Sequence, residues 1–348
     1  MRKARIAVLG AGWWGAQVYI PSLLADPTVD LVAVNRRDPA ALKEITDRFG
    51  IAKGYTDYGQ LLAVEKPDGV VIASPHTVHH EHTMAALAAG AHVLVDKPMA
   101  TNAADAREMV SNAAKTGLQI IVPYGWNFKD FTRKAADLMR AGEIGTVRHI
   151  TCQMASPTED LFGGAGLIET KDHMFQPNRD TWADPANAGG YGWGQLSHAL
   201  GLMYALVDAA PTEVYAIAGK SPAGVDWYDA ATLRLSNGAT AVISGSSTVP
   251  KHCGYQLDIR IFGTDGMLLI DVERERMELR RKDGRDTVLD IPEGQGAYDC
   301  VEPTQRLAQI CLGTATRNES PGLIGQRAVE TLDAMYRSIA SGKPEAAT

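Results

Sequence analysis

Cysteine is scarce. Cys152, Cys253, Cys300 and Cys311 are the only four in 348 residues, irregularly spaced and without a C-x-x-C pair. Such spacing excludes a disulfide framework or a zinc ribbon and reads as reduced, partly buried thiols. Positive charge is also in deficit: 34 Lys and Arg stand against 41 Asp and Glu, a net charge of −7. A phosphate-backbone partner needs the opposite balance, so nucleic acid is not an expected partner. Long apolar runs are missing as well. No stretch approaches the roughly 20 residues of a membrane span, so no membrane partner is expected. The opening MRKARIAVLGAG puts basic residues before an apolar run, as a signal peptide would. The run is short, however, and breaks into glycines without a cleavage site, which points to the cytoplasm. No internal repeat or low-complexity tract is present, and residues 342–348 read as a flexible tail.

The length suits two domains better than one hydrophobic core. In the first third, ARIAVLG (4–10), LVAV (31–34), GVVIAS (69–74), AHVLVDKP (91–98) and LQIIVPYGW (118–126) read as strands. Helical stretches separate them: 11–25, 40–50, 77–90 and 103–117. That alternation predicts βαβ crossovers and a doubly wound parallel sheet. After residue 146 the pattern changes. TVRHITCQM, TEVYAIAG, ATLRLSN, ATAVISGSS, YQLDIRIFG, MLLIDVE and RMELRRKDG follow one another, with SNG and TDG as turns. These predict a second α/β domain with mainly antiparallel pairing.

Gly10, Gly12 and Gly15 form a G-x-G-x-x-G between the first strand and the first helix. In that setting Gly10 makes the turn, Gly12 lets backbone N–H groups approach a pyrophosphate, and Gly15 lets helix meet strand. The helix N-terminus then favours the phosphate charge. Trp13 and Trp14 fill the free positions. Either could cover the dinucleotide or pack against the neighbouring domain, and the sequence leaves both readings open. About 20 residues further on, an acid would grip an adenine ribose diol. Here the position holds Asn35, followed by Arg36 and Arg37. A neutral side chain and two guanidinium groups favour the 2′-phosphate of NADP(H) over NAD(H), although Asp38 lies close.

PHTVHHEH packs His76, His79, His80 and His82 into seven positions, and helical spacing pairs them on two faces. With no cysteine nearby and only Glu81 as an acid, no metal is expected. The segment starts at the carboxyl end of a parallel strand, where the nicotinamide half of a dinucleotide belongs. One of these histidines is expected to touch the cofactor.

The run P-x-x-x-H-x-E…AL-x-x-G-x-HVL-x-DKP, Pro75 to Pro98, resembles the glucose–fructose oxidoreductase/inositol dehydrogenase (Gfo/Idh/MocA) family. GEIGTVRHI (142–150), the GG…H element, FGTDGMLLID (262–271) and a final amphipathic helix near 323–341 extend the likeness in the same order. The resemblance implies a Rossmann domain over residues 1–125. It also implies a substrate-binding and oligomerisation domain over 126–340, built on a large open sheet that covers the nicotinamide. Homodimers or homotetramers would form through that sheet. The implied activity is hydride transfer between NAD(P) and a secondary alcohol of a sugar, inositol or other polyol, or glycoside. A redox-neutral glycosidase that oxidises, eliminates, hydrates and reduces on a retained cofactor is the alternative.

Carried over by position, the resemblance makes Lys97 and His198 catalytic and sets Ser74, Pro75, His79 and Asp96 beside the cofactor. A base near neutral pH suits His198, and Lys97 could polarise the carbinol oxygen or accept its proton. Three positions depart from the family pattern. The aspartate expected four residues before His198 is Gly194, and the arginines expected near YGW and after Trp182 are Asn127 and Ala183. With Gly194 unable to orient the histidine, Asp172, His173 and Asp184 are candidate substitutes near the substrate, while Gln195, about a quarter turn away on the helix, is a candidate substrate contact. Tyr124, Trp126, Trp182, Tyr191 and Trp193 are candidate walls for a sugar ring, with interdomain core as the other reading of each.

Overall fold

The computed structural model describes residues 2–347. Contacts along the chain divide it into two compact units. One runs through Gly125 and takes in Leu167–Thr181 and Asp299–Gln326; the other holds Trp126–Gly166, Trp182–Tyr298 and the chain from Arg327 on.

The first unit is built on six parallel strands: β1 (Ala4–Leu9), β2 (Val29–Asn35), β3 (Gly54–Tyr55), β4 (Gly69–Ile72), β5 (His92–Val95) and β6 (Ile120–Ile121). They lie in the order β3-β2-β1-β4-β5-β6. Strand order reverses between β1 and β4, and ligands of such sheets bind at this kind of switch point. β1, β4 and β5 are apolar and buried at nearly every residue, as strands covered on both faces must be. Local chemistry sets the helix ends. Asp38 accepts a hydrogen bond from the Ala41 N–H and caps helix Pro39–Phe49, which Gly50 closes in the left-handed region. Elements of this unit outside the sequence expectation include β3, helix Tyr58–Glu65 and helix Val301–Leu312, whose Leu307 reaches Gly69 on β4.

The second unit carries a nine-stranded sheet. Its strands are β7 (Val147–Ala155), β8 (Pro211–Lys220), β9 (Asp226–Leu235), β10 (Thr240–Ser246), β11 (Gln256–Gly263), β12 (Gly266–Asp271), β13 (Arg276–Arg281), β14 (Thr287–Asp290) and β15 (Glu345–Ala346). The order is β14-β13-β12-β11-β7-β10-β9-β8-β15. All neighbours pair antiparallel except β7 with β10, which run parallel. Alternation along β8 and β9 separates a buried face (Val214, Ala216, Ala231, Leu233) from an exposed one (Tyr215, Ile217, Tyr228). Helices Ser197–Leu206 and Asp130–Arg140 belong to this unit. Within 342–348, expected as a tail, Glu345 and Ala346 pair with β8.

Candidate active site

Around the glycine fingerprint the fit is close. Gly10 has φ +75°, and a Cβ on it would lie 2.6 Å from Ser74 Cβ at the end of β4, so only glycine suits the contact. A Cβ on Gly12 would meet nothing nearer than Arg36 Nη1 and Gly10 O, both at 3.7 Å, which leaves room for an approaching ligand. Gly15 opens a π-helical turn, Gly15–Tyr19, that runs on into α-helix Ile20–Ala25. The Ser74 hydroxyl is buried with no partner among the described residues. An open glycine cradle at a helix N-terminus with an orphaned hydroxyl beside it fits a pyridine dinucleotide.

At the end of β2 the three expected residues separate. Asn35 is buried and its amide donates to the Tyr55 carbonyl (3.0 Å), fastening β2 to β3. Arg37 is exposed. Arg36 alone turns to the fingerprint loop, where Nη1 donates to the Ala11 carbonyl (2.7 Å) and the guanidinium lies 4.0 Å over the Phe175 ring. Burial lowers its pKa against the opposing pull of Asp38 and Glu44. One oxygen of the exposed Asp38 carboxylate is engaged as a helix cap.

The histidines go to different neighbours. His79 is fully buried, with Nδ1 2.8 Å from the Pro98 carbonyl and Nε2 2.8 Å from that of Ser74, so it ties the end of β4 to the loop after β5. Burial pushes its pKa down; a neutral ring donates to one of the two carbonyls at a time. His80 meets Glu108 at 3.0 Å, with Asp105 close enough for three ligand atoms to lie within 4.8 Å of one another. His82 packs on Tyr58, and burial pushes its pKa down to about 4. His76 stands edge-on to His79.

Lys97 follows β5 and is buried, and the half-buried Asp96 carboxylate accepts from the Lys97 backbone N–H (2.8 Å). Burial lowers the Lys97 pKa, with the Asp96 charge opposing. The same burial raises that of Asp96, against Lys97, His79 and a hydrogen bond from Tyr19. Tyr124 is buried in this neighbourhood, its phenol pushed up by burial and by the Asp96 charge. Cys300, not foreseen from the sequence, lies close enough for its charge to act on Lys97. A lysine held this way has an ammonium that is costly to keep and therefore readier to give up its proton.

Leu167–Thr181 packs with this unit. Trp13 Nε1 donates to His173 Nδ1 at 2.9 Å, and the two rings stack at 6.4 Å. Trp14 stands edge-on to Trp13 at 5.3 Å. Asp172 is exposed. His173 therefore joins the fingerprint loop, a partnership 160 residues apart that no local pattern discloses.

In the second unit His198 is buried near the start of helix Ser197–Leu206, directly after a π-helical turn, Gly192–Leu196. Its ring stands edge-on to Trp126 (5.8 Å) and Tyr298 (4.9 Å), while Trp126 Nε1 donates to the Gly296 carbonyl. Gly194 has a packing reason: a Cβ there would lie 2.7 Å from Phe162 Cζ and 3.2 Å from Trp182 Cζ3. Aromatic rings occupy the space that an aspartate would need. Asp226 instead serves this helix from below, accepting the Gly192 N–H (2.7 Å) and the Tyr336 hydroxyl (2.8 Å). Buried Asp229 beside it is held well above the usual carboxylate range by burial and by Asp226.

The other wall candidates divide. Trp126 and Trp182 belong to the aromatic cluster just described. Tyr191 is core, fully buried with its hydroxyl donating to the Met154 carbonyl (3.0 Å). Trp193 stacks flat on Tyr336 at 5.3 Å. Gln195 is buried within the π turn. Asp184 caps the short turn Pro185–Asn187 through the Ala186 N–H and Asn187. The departures Asn127 and Ala183 are buried, Asn127 donating to the Gly201 carbonyl (3.2 Å).

A doubly wound dinucleotide fold with a buried lysine beyond β5, joined to a unit built on an open antiparallel sheet, defines an oxidoreductase class. The chain belongs to the Gfo/Idh/MocA family. The family's "Oxidoreductase family, NAD-binding Rossmann fold" matches residues 4–124 and the "GFO/IDH/MocA C-terminal domain" matches 132–269. Among relatives, D-xylose 1-dehydrogenase (NADP(+)) 2 of Haloferax volcanii is 26% identical over 96% of this chain and 97% of that protein. D-glucoside 3-dehydrogenase of Escherichia coli (strain K12) is 29% identical over 49% of this chain, which spans about half (52%) of its length. The structure of GenD2 from gentamicin A biosynthesis, in complex with NAD, superposes with a TM-score of 0.78 at 24% identity, covering 99% of this chain and 97% of that one. No helix among the described residues is long and apolar enough to cross a membrane.

Proposed function

We propose that this protein is an NAD(P)-dependent dehydrogenase transferring hydride between nicotinamide and a secondary alcohol of a sugar, polyol or glycoside, with NADP(H) preferred. The observation that carries the reading is Lys97: a buried amine beside a half-buried carboxylate, on the carboxyl side of a parallel strand in a sheet whose glycine loop fits a dinucleotide. The bound nicotinamide supplies the hydride chemistry. The fingerprint loop holds the diphosphate, Arg36 favours a 2′-phosphate, and His79 fixes the loops on which Ser74 and Pro98 sit. Lys97 polarises the carbinol oxygen and, with its pKa lowered, accepts the proton. His198 is the second proton handler, in a cluster of aromatic edges suited to a sugar ring.

The exposed face of the nine-stranded sheet supports a homo-oligomer. Ile217 is 61% exposed, Tyr228 51%, Tyr215 41% and Val242 40%, and the strand register puts them on one face of the sheet, interspersed with Thr232 and Ala230. The test of function is turnover of each nicotinamide cofactor with a panel of sugars, polyols and glycosides, followed by nicotinamide absorbance. Absorbance change that depends on Lys97 supports the proposal. Aglycone release without net cofactor turnover would replace it with a redox-neutral glycosidase.

A further inference from the structure

Leu167–Thr181 interrupts the second unit in chain order, yet it packs with the dinucleotide unit and touches the fingerprint region at two points. His173 accepts the Trp13 indole N–H at 2.9 Å, and the Phe175 ring lies 4.0 Å from the Arg36 guanidinium carbon. We infer that Phe175 is a specificity-determining residue for the cofactor, the ring that fixes the plane of Arg36 so that its guanidinium edge faces an adenosine 2′-phosphate. The inference rests on the NADP(H) reading above and deepens it.

Arginine on a loop normally loses side-chain freedom when it grips an anion, and that loss weakens binding. Here the freedom is already removed. The guanidinium carbon sits 4.0 Å over the Phe175 ring, and one N–H is committed to the Ala11 carbonyl at 2.7 Å. The remaining guanidinium N–H groups make no other hydrogen bond among the described residues, while the Arg36 backbone N–H donates to the Tyr55 carbonyl (3.1 Å). A planar fork with donors to spare matches a phosphate, whereas a ribose hydroxyl has no charge to reward it. The Asn35 amide donates to the Tyr55 carbonyl and one Asp38 carboxylate oxygen accepts the Ala41 N–H, whereas Arg36 turns to the fingerprint loop. The Trp13–His173 bond anchors the same segment two residues away and keeps Phe175 in place.

The test measures dissociation constants of NADPH and NADH for the full-length protein by the nucleotide's own fluorescence, in Phe175→Ala, Phe175→Tyr, Arg36→Ala and the Phe175→Ala/Arg36→Ala double variant. Circular dichroism confirms that each is folded. Losing the ring should weaken NADPH about tenfold and NADH less than about threefold, from the usual worth of a partly desolvated cation–π contact. Phe175→Tyr should bind as the parent does. In the double variant, removing the ring should add nothing to the loss from Arg36→Ala, because the ring acts only through the guanidinium. Equal losses for both nucleotides, unchanged NADPH binding in Phe175→Ala, or additive losses in the double variant would each overturn the inference. If Arg36→Ala discriminates between nucleotides while Phe175→Ala is silent, the stacking role alone fails. If Arg36→Ala is silent too, the NADP(H) reading fails with it.

Discussion

Placing at Gly194 the aspartate that the family resemblance led one to expect four residues before His198 should damage this protein, and the size of the damage follows from the space around that glycine. An added Cβ would lie 2.7 Å from Phe162 Cζ and 2.8 Å from its Cε1, with Trp182 Cζ3 at 3.2 Å. Forcing rings aside in a packed core costs about 1–3 kcal/mol. Against that, alanine is favoured over glycine in a helix by about 1 kcal/mol. Gly194→Ala should therefore fall between neutral and about 2 kcal/mol destabilised. Gly194→Asp adds a carboxylate among aromatic rings, which costs about 1–3 kcal/mol more even when protonated. Burial raises the folded-state pKa of that carboxyl above its unfolded value near 4. The added penalty is then smallest at acid pH and grows as pH rises through the carboxylate range toward the folded pKa. The assay is urea unfolding of both variants followed by tryptophan fluorescence across pH. A Gly194→Asp protein as stable as its parent at neutral pH, or with higher turnover, would refute the packing account.

Lys97→Met should lower turnover by about 10²–10⁴-fold, the usual worth of a general acid–base group, while cofactor dissociation constants change less than about threefold; equilibrium binding beside steady-state rates checks it. Oxidation rate should rise with pH through a Lys97 pKa below the ordinary 10.5. Since the Asp96 charge raises that pKa, Asp96→Asn should move the rising limb to lower pH, and a shift upward would contradict the assignment. His82 has a folded pKa of about 4 against an ordinary 6.5, so the unfolded chain binds a proton that the folded one refuses. Stability should fall as pH drops through that window, and His82→Gln should flatten the slope in acid denaturation curves. Ile217→Lys with Tyr228→Lys should yield smaller species in sedimentation velocity, the outcome expected if the exposed sheet face holds copies together.

The first sheet was largely legible because β1, β4 and β5 are continuous apolar runs bounded by glycine, proline or polar turns, and Gly10 to Gly15 fall between strand and helix. β3 escaped because two residues carry no period. The parallel pairing of β7 with β10 escaped because alternation looks the same in either direction. At the site, family spacing drew attention to Lys97, His79 and His198, but chemistry carried by distant contacts stayed hidden. Phe175 and Tyr298 occupy loops whose composition says nothing of the rings they meet. Asp226, at a strand start, gives no local sign that it caps a helix 34 residues earlier. Tyr191 shows the reverse error of emphasis. An aromatic among glycines suggests a ligand wall, whereas its hydroxyl is satisfied by Met154 within the core.

Each unit holds a π turn, Gly15–Tyr19 in the first and Gly192–Leu196 in the second. Such a turn carries one residue more than an α-helical one. Removing a single residue from Gly192–Leu196 would let the helix close as an ordinary α-helix while the flanking turns keep their facing, because each kind of turn completes one revolution. A one-residue deletion there is therefore expected to leave the His198 ring edge-on to Trp126 and Tyr298, a tolerance that a deletion within Ser197–Leu206 would not share.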